Sequence, residues 1–101
     1  MYLLSIVIPV HEEGSYILAT LERITRSVKT EFECIIIADN NSDSTIPFIL
    51  EFQRKDPRFR FELNQIAVGP AGAIKQGMRC AKGEMIAVVS GDGSDDISQL
   101  D

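Results

Sequence analysis

The sequence predicts an α/β fold of three layers, a parallel sheet with helices on both faces. Four runs of strand length alternate with segments in which apolar residues recur at helical spacing. Three of these runs are wholly or largely apolar, and acidic loops follow them directly. Such alternation favours right-handed crossovers and therefore parallel strands.

The first strand and helix are predicted over residues 3–28. Leu3 to Val10 is a run that is apolar except for Ser5, typical of a strand buried on both faces. Apolar residues at helical spacing predict a helix over 15–28, and Ser15 is expected to cap its start.

The second strand and helix follow the same pattern. Phe32 to Ala38 predicts another buried strand, and 44–55 predicts a helix with Pro47 in its first turn, where the missing N–H costs nothing. The side chains expected to face inward are Ile46, Ile49 and Leu50.

The third strand is predicted at an edge of the sheet. Arg58 to Leu63 alternates charged and apolar residues, so one of its faces should be wet. A helix is predicted over 71–82, with Met78 on its inner face, Gly77 allowing close packing on the sheet and Gly83 ending the helix as its C′ residue.

The fourth strand, Met85 to Val89, is apolar throughout, and a last short helix is expected near Asp95. With the third strand at an edge, the simplest strand order is 3-2-1-4, which makes the fourth strand an outer one. An exposed apolar edge is an aggregation hazard. We therefore expect the strand 85–89 edge to be covered by further sheet beyond Asp101, or by a second chain in a dimer.

Size and charge limit the classes of function. The 101 residues suffice for one domain, 1–101, and the net charge of −5 disfavours nucleic acid as a partner. No apolar stretch is long enough to span a membrane, and no basic segment precedes Leu3, so a cytoplasmic location is expected. Cys34 and Cys80 lack metal-ligand spacing and are predicted to be buried free thiols.

Seven of the fifteen acidic residues fall in three clusters that follow the first, second and fourth strands. Parallel strands would bring the clusters to one edge of the sheet, where open α/β sheets bind ligands. Because neighbouring carboxylates repel one another, a divalent cation is expected there. The clustered residues are Glu12, Glu13, Asp39, Asp43, Asp92, Asp95 and Asp96.

Two of the acidic loops admit two interpretations each. Residues 39–43 could be a plain turn before a helix, or Asp39 could accept hydrogen bonds from a nucleotide base or ribose. Residues 90–96 could be a helix-capping turn made by Asp95 and Asp96, or Asp92 could bind a cation that bridges two phosphates.

The remaining candidate groups are a glycine-rich segment and a histidine. Residues 69–73 lack the ending of a Walker-type loop, although a helix start there could face an anion. Lys75 could reach a phosphate or belong to a solvated helix face. His11 has no Ser or Cys partner by spacing, so we expect it to line the pocket or simply to lie in its loop.

Four segments together resemble family 2 glycosyltransferases of the GT-A fold, which is Rossmann-like. Residues 5–13 resemble the family's "SIVIPVYNEE" opening, and 33–45 its "EIIIVDDNSPDGT" segment. Residues 69–84 resemble its glycine-rich helix, and 88–96 the strand that ends in its metal motif. The Gly-Ser-Asp-Asp ending is most similar to polyprenyl-phosphate sugar synthases.

The resemblance implies transfer of a sugar from a nucleotide-diphosphate donor to an acceptor, with Mg²⁺ or Mn²⁺ as cofactor. The acceptor is not specified; a lipid phosphate, and with it association with the cytoplasmic face of a membrane, would follow from the synthase-like ending. By position, Pro9, Glu13 and Asp39 would contact the nucleoside, and Asp92 would be the second acid of the metal motif. The candidate donor-binding residues are Pro9, His11, Glu13, Asp39, Asn41, Gly72 and Lys75, with Asp92 as the candidate metal ligand and no catalytic residue assigned.

The sequence departs from the family pattern at several of these positions. His11 and Glu12 stand where Tyr and Asn are usual, Ala38 replaces a frequent Asp, and Ser90 replaces the first acid of the metal motif. The family's acceptor-binding half would lie after Asp101. The alternative hypothesis is therefore a non-catalytic nucleotide-binding or dimerising module. A receiver-like domain is disfavoured because Asn64, not a phosphoacceptor Asp, follows the third strand.

Overall fold

The computed structural model describes residues 2–91. Four strands and three α-helices alternate in this range, and a 3₁₀ turn (Gly14–Tyr16) precedes the first helix. The elements in chain order are β1 (Leu4–Pro9), α1 (Ile17–Ser27), β2 (Phe32–Ala38), α2 (Ile46–Lys55), β3 (Phe59–Leu63), α3 (Pro70–Cys80) and β4 (Met85–Val88). The predictions for Asp92, Asp95, Asp96 and the short helix near Asp95 lie outside the described residues.

The sheet is parallel, with the order β3-β2-β1-β4, as predicted. One of its faces packs against α1 and α2, where Leu21, Ile24 and Ile49 are fully buried. The opposite face packs against α3, where Val7, Ile35 and Ile37 meet Ala73. This arrangement confirms the three-layer architecture with helices on both faces.

Gly77 allows α3 to lie close to the sheet, as the sequence suggested. A Cβ atom added at Gly77 would lie 2.3 Å from Cγ1 of Val7 and 2.8 Å from Cδ1 of Ile37. Met78 was predicted to face inward but is 50% exposed. The side of α3 that faces the sheet is the one that carries Gly77.

Two helix starts differ from their predictions. Ser15 does not cap α1; it lies in the 3₁₀ turn, and α1 follows Tyr16 without a side-chain cap. Oγ1 of Thr45, which precedes α2, accepts hydrogen bonds from the amides of Glu13 and of Gly14, the first residue of this turn. In α2, Pro47 lies in the first turn as predicted, but Leu50 is 45% exposed because the buried side is set by Ile46 and Ile49.

The end of α3 also differs, because tertiary contacts end the helix before Lys82. Arg60 donates to the carbonyl oxygen of Cys80, and Ala81 is already extended. Gly83 is therefore not a C′ residue; its amide donates to Oγ of Ser5 at 2.8 Å.

The outer strand β4 is more exposed than its sequence suggested. Its order in the sheet is as predicted, but Met85, Ile86 and Val88 are 42–54% exposed in the described part of the chain. A cover for this edge stays a prediction. Cys34 and Cys80 are free thiols, as expected; Cys34 is buried, whereas Cys80 is only partly buried. No helix within residues 2–91 is long and apolar enough to cross a bilayer.

Candidate functional site

A pocket of about 690 Å³ opens where β1, β2 and β4 end. This is the edge where the acidic clusters were expected, and it is the switch point of the sheet, since β1 lies between β2 and β4. The described residues that line the pocket are Pro9, Val10, His11, Glu13, Asp39, Val68, Gly69, Pro70, Ala73, Val88, Val89, Ser90 and Gly91. Mostly apolar walls with a few carboxylates suit a ligand that has both a flat apolar part and hydrogen-bond donors.

Glu13 is held at the pocket by its own loop and by α2. Its Oε2 accepts a hydrogen bond from the backbone amide of His11. Its amide donates to Oγ1 of the fully buried Thr45 at 2.9 Å, and the Gly14 amide donates to the same atom at 3.3 Å. The loop after β1 is therefore anchored to the start of α2.

A second pair of contacts ties the same two loops together. The Glu12 amide donates to Oδ2 of Asp43 at 3.1 Å, and the Ser44 amide donates to Oε1 of Glu12 at 3.1 Å. Burial alone would raise the pKa of Asp43, but hydrogen bonds from Thr45 and the Glu12 amide outweigh burial and lower it. Asp43 thus stays ionised as a structural acceptor. Glu12 was expected with the other clustered acids at the ligand-binding edge; its carboxylate instead accepts from the Ser44 amide ahead of α2, and it is not among the lining residues.

Asp39 directly follows β2, and both of its carboxylate oxygens accept hydrogen bonds from one neighbouring segment. Asn64 donates from Nδ2 to Oδ1 at 2.7 Å, and the Gly69 amide donates to Oδ2 at 3.1 Å. Both donors lie in the segment between β3 and α3, which forms one wall of the pocket through Val68 and Gly69.

Gly72, in the first turn of α3, contacts the back of this wall and does not line the pocket. A Cβ atom added at Gly72 would lie 1.9 Å from the carbonyl oxygen of Ala67, so only glycine lets the segment rest on the first turn of α3. Gly69 has φ 111°, a backbone conformation that glycine adopts readily.

On the β4 side, the chain turns across the end of β1. Gly91 is buried, and an added Cβ would lie 3.0 Å from Cγ1 of Val10 and 3.6 Å from Cδ of Glu13. The residue immediately before Asp92 therefore lies beside Glu13.

The pocket carboxylates do not form a metal site by themselves. Within residues 2–91, no group of three or more His, Cys, Asp and Glu side chains could hold a metal ion. Mg²⁺ commonly takes only one or two protein carboxylates and completes its shell with phosphate oxygens and water. The described residues thus fit a metal held jointly by a ligand's phosphates and one further acid, and not a metal held by the protein alone.

The structure brings together four of the predicted site residues. Pro9, His11, Glu13 and Asp39 line the pocket. The other described candidates lie outside its lining: Asn41 and Lys75 are exposed, and Gly72 is buried under the wall. Whether any of these residues binds a ligand stays a prediction, as does the role of Asp92.

Sequence reasoning overlooked the residues that hold the pocket in shape. Asn64 follows β3 at the same edge of the sheet as the acids, and this strand-end position was the available signal. Thr45 gave no comparable signal, since nothing local links it to Glu13, which lies 32 residues away.

Comparisons with known proteins agree with this fold. The family model for glycosyl transferase family 2 matches residues 5–100. The glycosyltransferase GlyG of Streptococcus pneumoniae is 30% identical over 89% of this chain and 30% of its own length. Dolichyl-phosphate beta-glucosyltransferase of Dictyostelium discoideum is 28% identical over 90% of this chain and 31% of its own length. The chain therefore spans about one third of these relatives.

Solved structures share the fold. A mannosyltransferase of Pyrobaculum calidifontis, in complex with GDP-Man and Mn²⁺, superposes with a TM-score of 0.77 at 19% identity, over 90% of this chain and 28% of that chain. TarS of Staphylococcus aureus, in complex with UDP-GlcNAc, gives a TM-score of 0.70 at 24% identity, over 88% of this chain and 26% of that chain.

Proposed function

This chain belongs to glycosyl transferase family 2, and we propose that its pocket binds the nucleotide part of a nucleotide-diphosphate sugar. The observation that carries the proposal is the convergence of Glu13 and Asp39 in one pocket at the switch point of the sheet. A pocket of about 690 Å³ is within the usual size range for a small-molecule site.

Each described part of the pocket has a task in this proposal. The carboxylates of Asp39 and Glu13 accept hydrogen bonds from N–H and O–H groups of the nucleoside. Pro9 and Val68 offer apolar surface to the base. Donor binding is supported by the GDP-Man and UDP-GlcNAc complexes of proteins that share the fold.

A divalent cation fits the site only together with the donor. A donor diphosphate would be repelled by Glu13 and Asp39, and Mg²⁺ or Mn²⁺ offsets such repulsion. We assign the metal to Asp92, because Gly91, its neighbour in the chain, lies beside Glu13. When bound, the cation stabilises the charge on the departing diphosphate. The Mn²⁺ bound by the Pyrobaculum protein supports this assignment.

In the whole protein, an acceptor oxygen would displace the nucleoside diphosphate from the anomeric carbon of the sugar. We propose that the acceptor is a lipid phosphate, or a sugar that is attached to a lipid through a diphosphate. Support comes from the names of relatives: the Dictyostelium enzyme is a dolichyl-phosphate glucosyltransferase, and WfgD of Escherichia coli, 31% identical over 90% of this chain, acts on a diphosphoundecaprenol-linked sugar.

Calorimetric titration of the chain with UDP and GDP, in Mg²⁺, in Mn²⁺ and in EDTA, tests donor binding. We expect one of the nucleotides to bind in a metal-dependent way, Asp39→Asn to weaken that binding at least tenfold, and Asp92→Ala to abolish its metal dependence. Glu22→Gln, the same loss of charge on the exposed side of α1, is the control and should bind as the parent does. Unchanged binding by Asp39→Asn would sink the proposal for this pocket.

A further inference from the structure

We propose that Asn64 is the positioning residue for Asp39: it sets the direction in which that carboxylate meets the nucleoside and therefore how tightly the nucleotide binds. The inference rests on the proposed function, in which Asp39 accepts hydrogen bonds from the donor. Asn64 itself is not among the residues that line the pocket, so it acts through Asp39.

The Asn64 side chain is fixed by contacts at every polar atom. Nδ2 donates to Oδ1 of Asp39 at 2.7 Å and to the carbonyl oxygen of Ala67 at 2.6 Å. Oδ1 accepts from the Ile66 amide at 3.0 Å, and the Asn64 backbone amide donates to the carbonyl oxygen of Ala38 at 2.8 Å. Only the nitrogen of the amide can donate to a carboxylate and a carbonyl, so the orientation of the group is determined.

Asn64 leaves Asp39 able to accept a ligand. A carboxylate offers about four acceptor positions on its two oxygens. Asn64 and the Gly69 amide take one position on each oxygen. The plane of the carboxylate is thereby set, while acceptor capacity remains on both oxygens for groups that enter the pocket.

The same side chain couples Asp39 to the pocket wall. Its bonds to Asp39 and to Ala67 hold the 64–69 segment, whose Val68 lines the pocket although it is 89% exposed. Close approach of Ala67 to Gly72 keeps the segment on α3. Because the 64–69 segment and the Asp39 carboxylate are ordered before the ligand binds, binding does not have to supply the free energy of ordering them.

Asn64→Asp is the sharpest test, because it keeps the shape and turns the donor into an acceptor that faces Asp39. Asn40→Asp is the matched control: it adds the same charge in the turn after β2, and Oδ1 of Asn40 only accepts, from the amide and hydroxyl of Ser42. Titrating each variant with UDP and GDP in Mg²⁺ should show affinity at least tenfold lower in Asn64→Asp than in Asn40→Asp. Equal affinities in the two variants would overturn the proposal.

The exchange of the two residues separates positioning from general stability. In Asp39→Asn/Asn64→Asp an amide can again donate to a carboxylate, but the pocket no longer presents the carboxylate of residue 39. We expect the melting temperature to recover towards the parent value while nucleotide affinity stays low. Recovery of affinity together with the melting temperature would mean that a carboxylate at position 39, and hence its positioning by Asn64, is not needed for nucleotide binding.

A measurement without ligand keeps the inference separate from the proposed function. The Gly69 amide, bonded to Asp39, should exchange its hydrogen at least tenfold faster in Asn64→Asp than in Asn40→Asp. An unchanged exchange rate would refute positioning even if nucleotides bind.

If the parent binds neither UDP nor GDP, the proposed function fails, and the exchange rates still decide whether Asn64 holds Asp39. Should Asn64→Asp not fold, the shorter and neutral Asn64→Ser takes its place in both measurements.

Discussion

Arg60 on β3 donates from Nη1 to Oε1 of Glu33 on β2 at 2.7 Å, and the Glu33 carboxylate is wholly buried. Glu33 also accepts from Oγ of Ser5 at 2.6 Å and from the Lys82 amide. One carboxylate thus joins β1, β2, β3 and the segment between α3 and β4. This cluster lies near the amino-terminal ends of β1 and β2, whereas the pocket lies at their carboxyl ends.

Removing the Glu33 carboxylate should be among the most destabilising single changes. Glu33→Ala leaves Arg60 without its buried partner and should lower the free energy of unfolding by about 3–5 kcal/mol, measured by urea denaturation at pH 7. Glu51→Ala, which breaks the exposed pair with Arg54, should cost less than about 1 kcal/mol. Similar losses in the two variants would contradict a structural role for the Glu33 cluster.

Stability should fall in acid. Burial would raise the pKa of Glu33, but hydrogen bonds from Ser5, the Lys82 amide and Arg60 lower it; the pKa of Asp43 is lowered in the same manner. A carboxyl with a lower pKa in the folded state stabilises the fold fully above its unfolded pKa, about 4, and the contribution is lost as pH falls through the folded value. Urea denaturation should therefore give nearly constant stability from pH 7 to about 5 and a decline below about 4. Asp43→Asn should make that decline shallower, and stability that rises as the pH is lowered from about 5 to about 3 would contradict the assignment.

Local patterns predicted the elements and their order. The run 32–38, apolar except for Glu33, is β2 as predicted; the alternating run from Arg58 lies at the edge, and Pro47 lies in the first turn of α2. Each of these features depends on residues that are adjacent in the sequence. The predictions for Ser15 and Gly83 were wrong because Thr45 and Ser5, distant in sequence, provide the contacts there.

In the candidate site, too, the sequence predicted the features that depend on local pattern and missed the contacts between distant residues. The rule that parallel strands end at one edge was enough to predict that Glu13 and Asp39 would share a pocket. The rule does not say which neighbours hold each acid. Asn64 lies 25 residues from Asp39, and their pairing depends on β3 lying next to β2 in the folded sheet.

Filling the space at Gly77 should destabilise the fold, although alanine favours helices more than glycine by about 1 kcal/mol. The added methyl group would lie 2.3 Å from Cγ1 of Val7, in the contact between α3 and the sheet. We expect Gly77→Ala to lower the free energy of unfolding by about 1–3 kcal/mol, measured by urea denaturation. Arg79→Ala, on the exposed side of α3, should change it by less than about 0.5 kcal/mol. A gain in stability for Gly77→Ala would show that α3 can move away from the sheet at little cost.

Removing the hydroxyl of Thr45 should loosen the loop that carries Glu13. Thr45→Val keeps the shape but leaves the Glu13 and Gly14 amides without their acceptor, which should cost about 1–3 kcal/mol in urea denaturation. Under the proposed function, nucleotide affinity should fall as well. Thr25→Val is the matched control, since Thr25 bonds only to Leu21 of its own helix in the described contacts and should change stability by about 0.5 kcal/mol or less. Equal effects at Thr45 and Thr25 would show that the loop keeps its shape without α2.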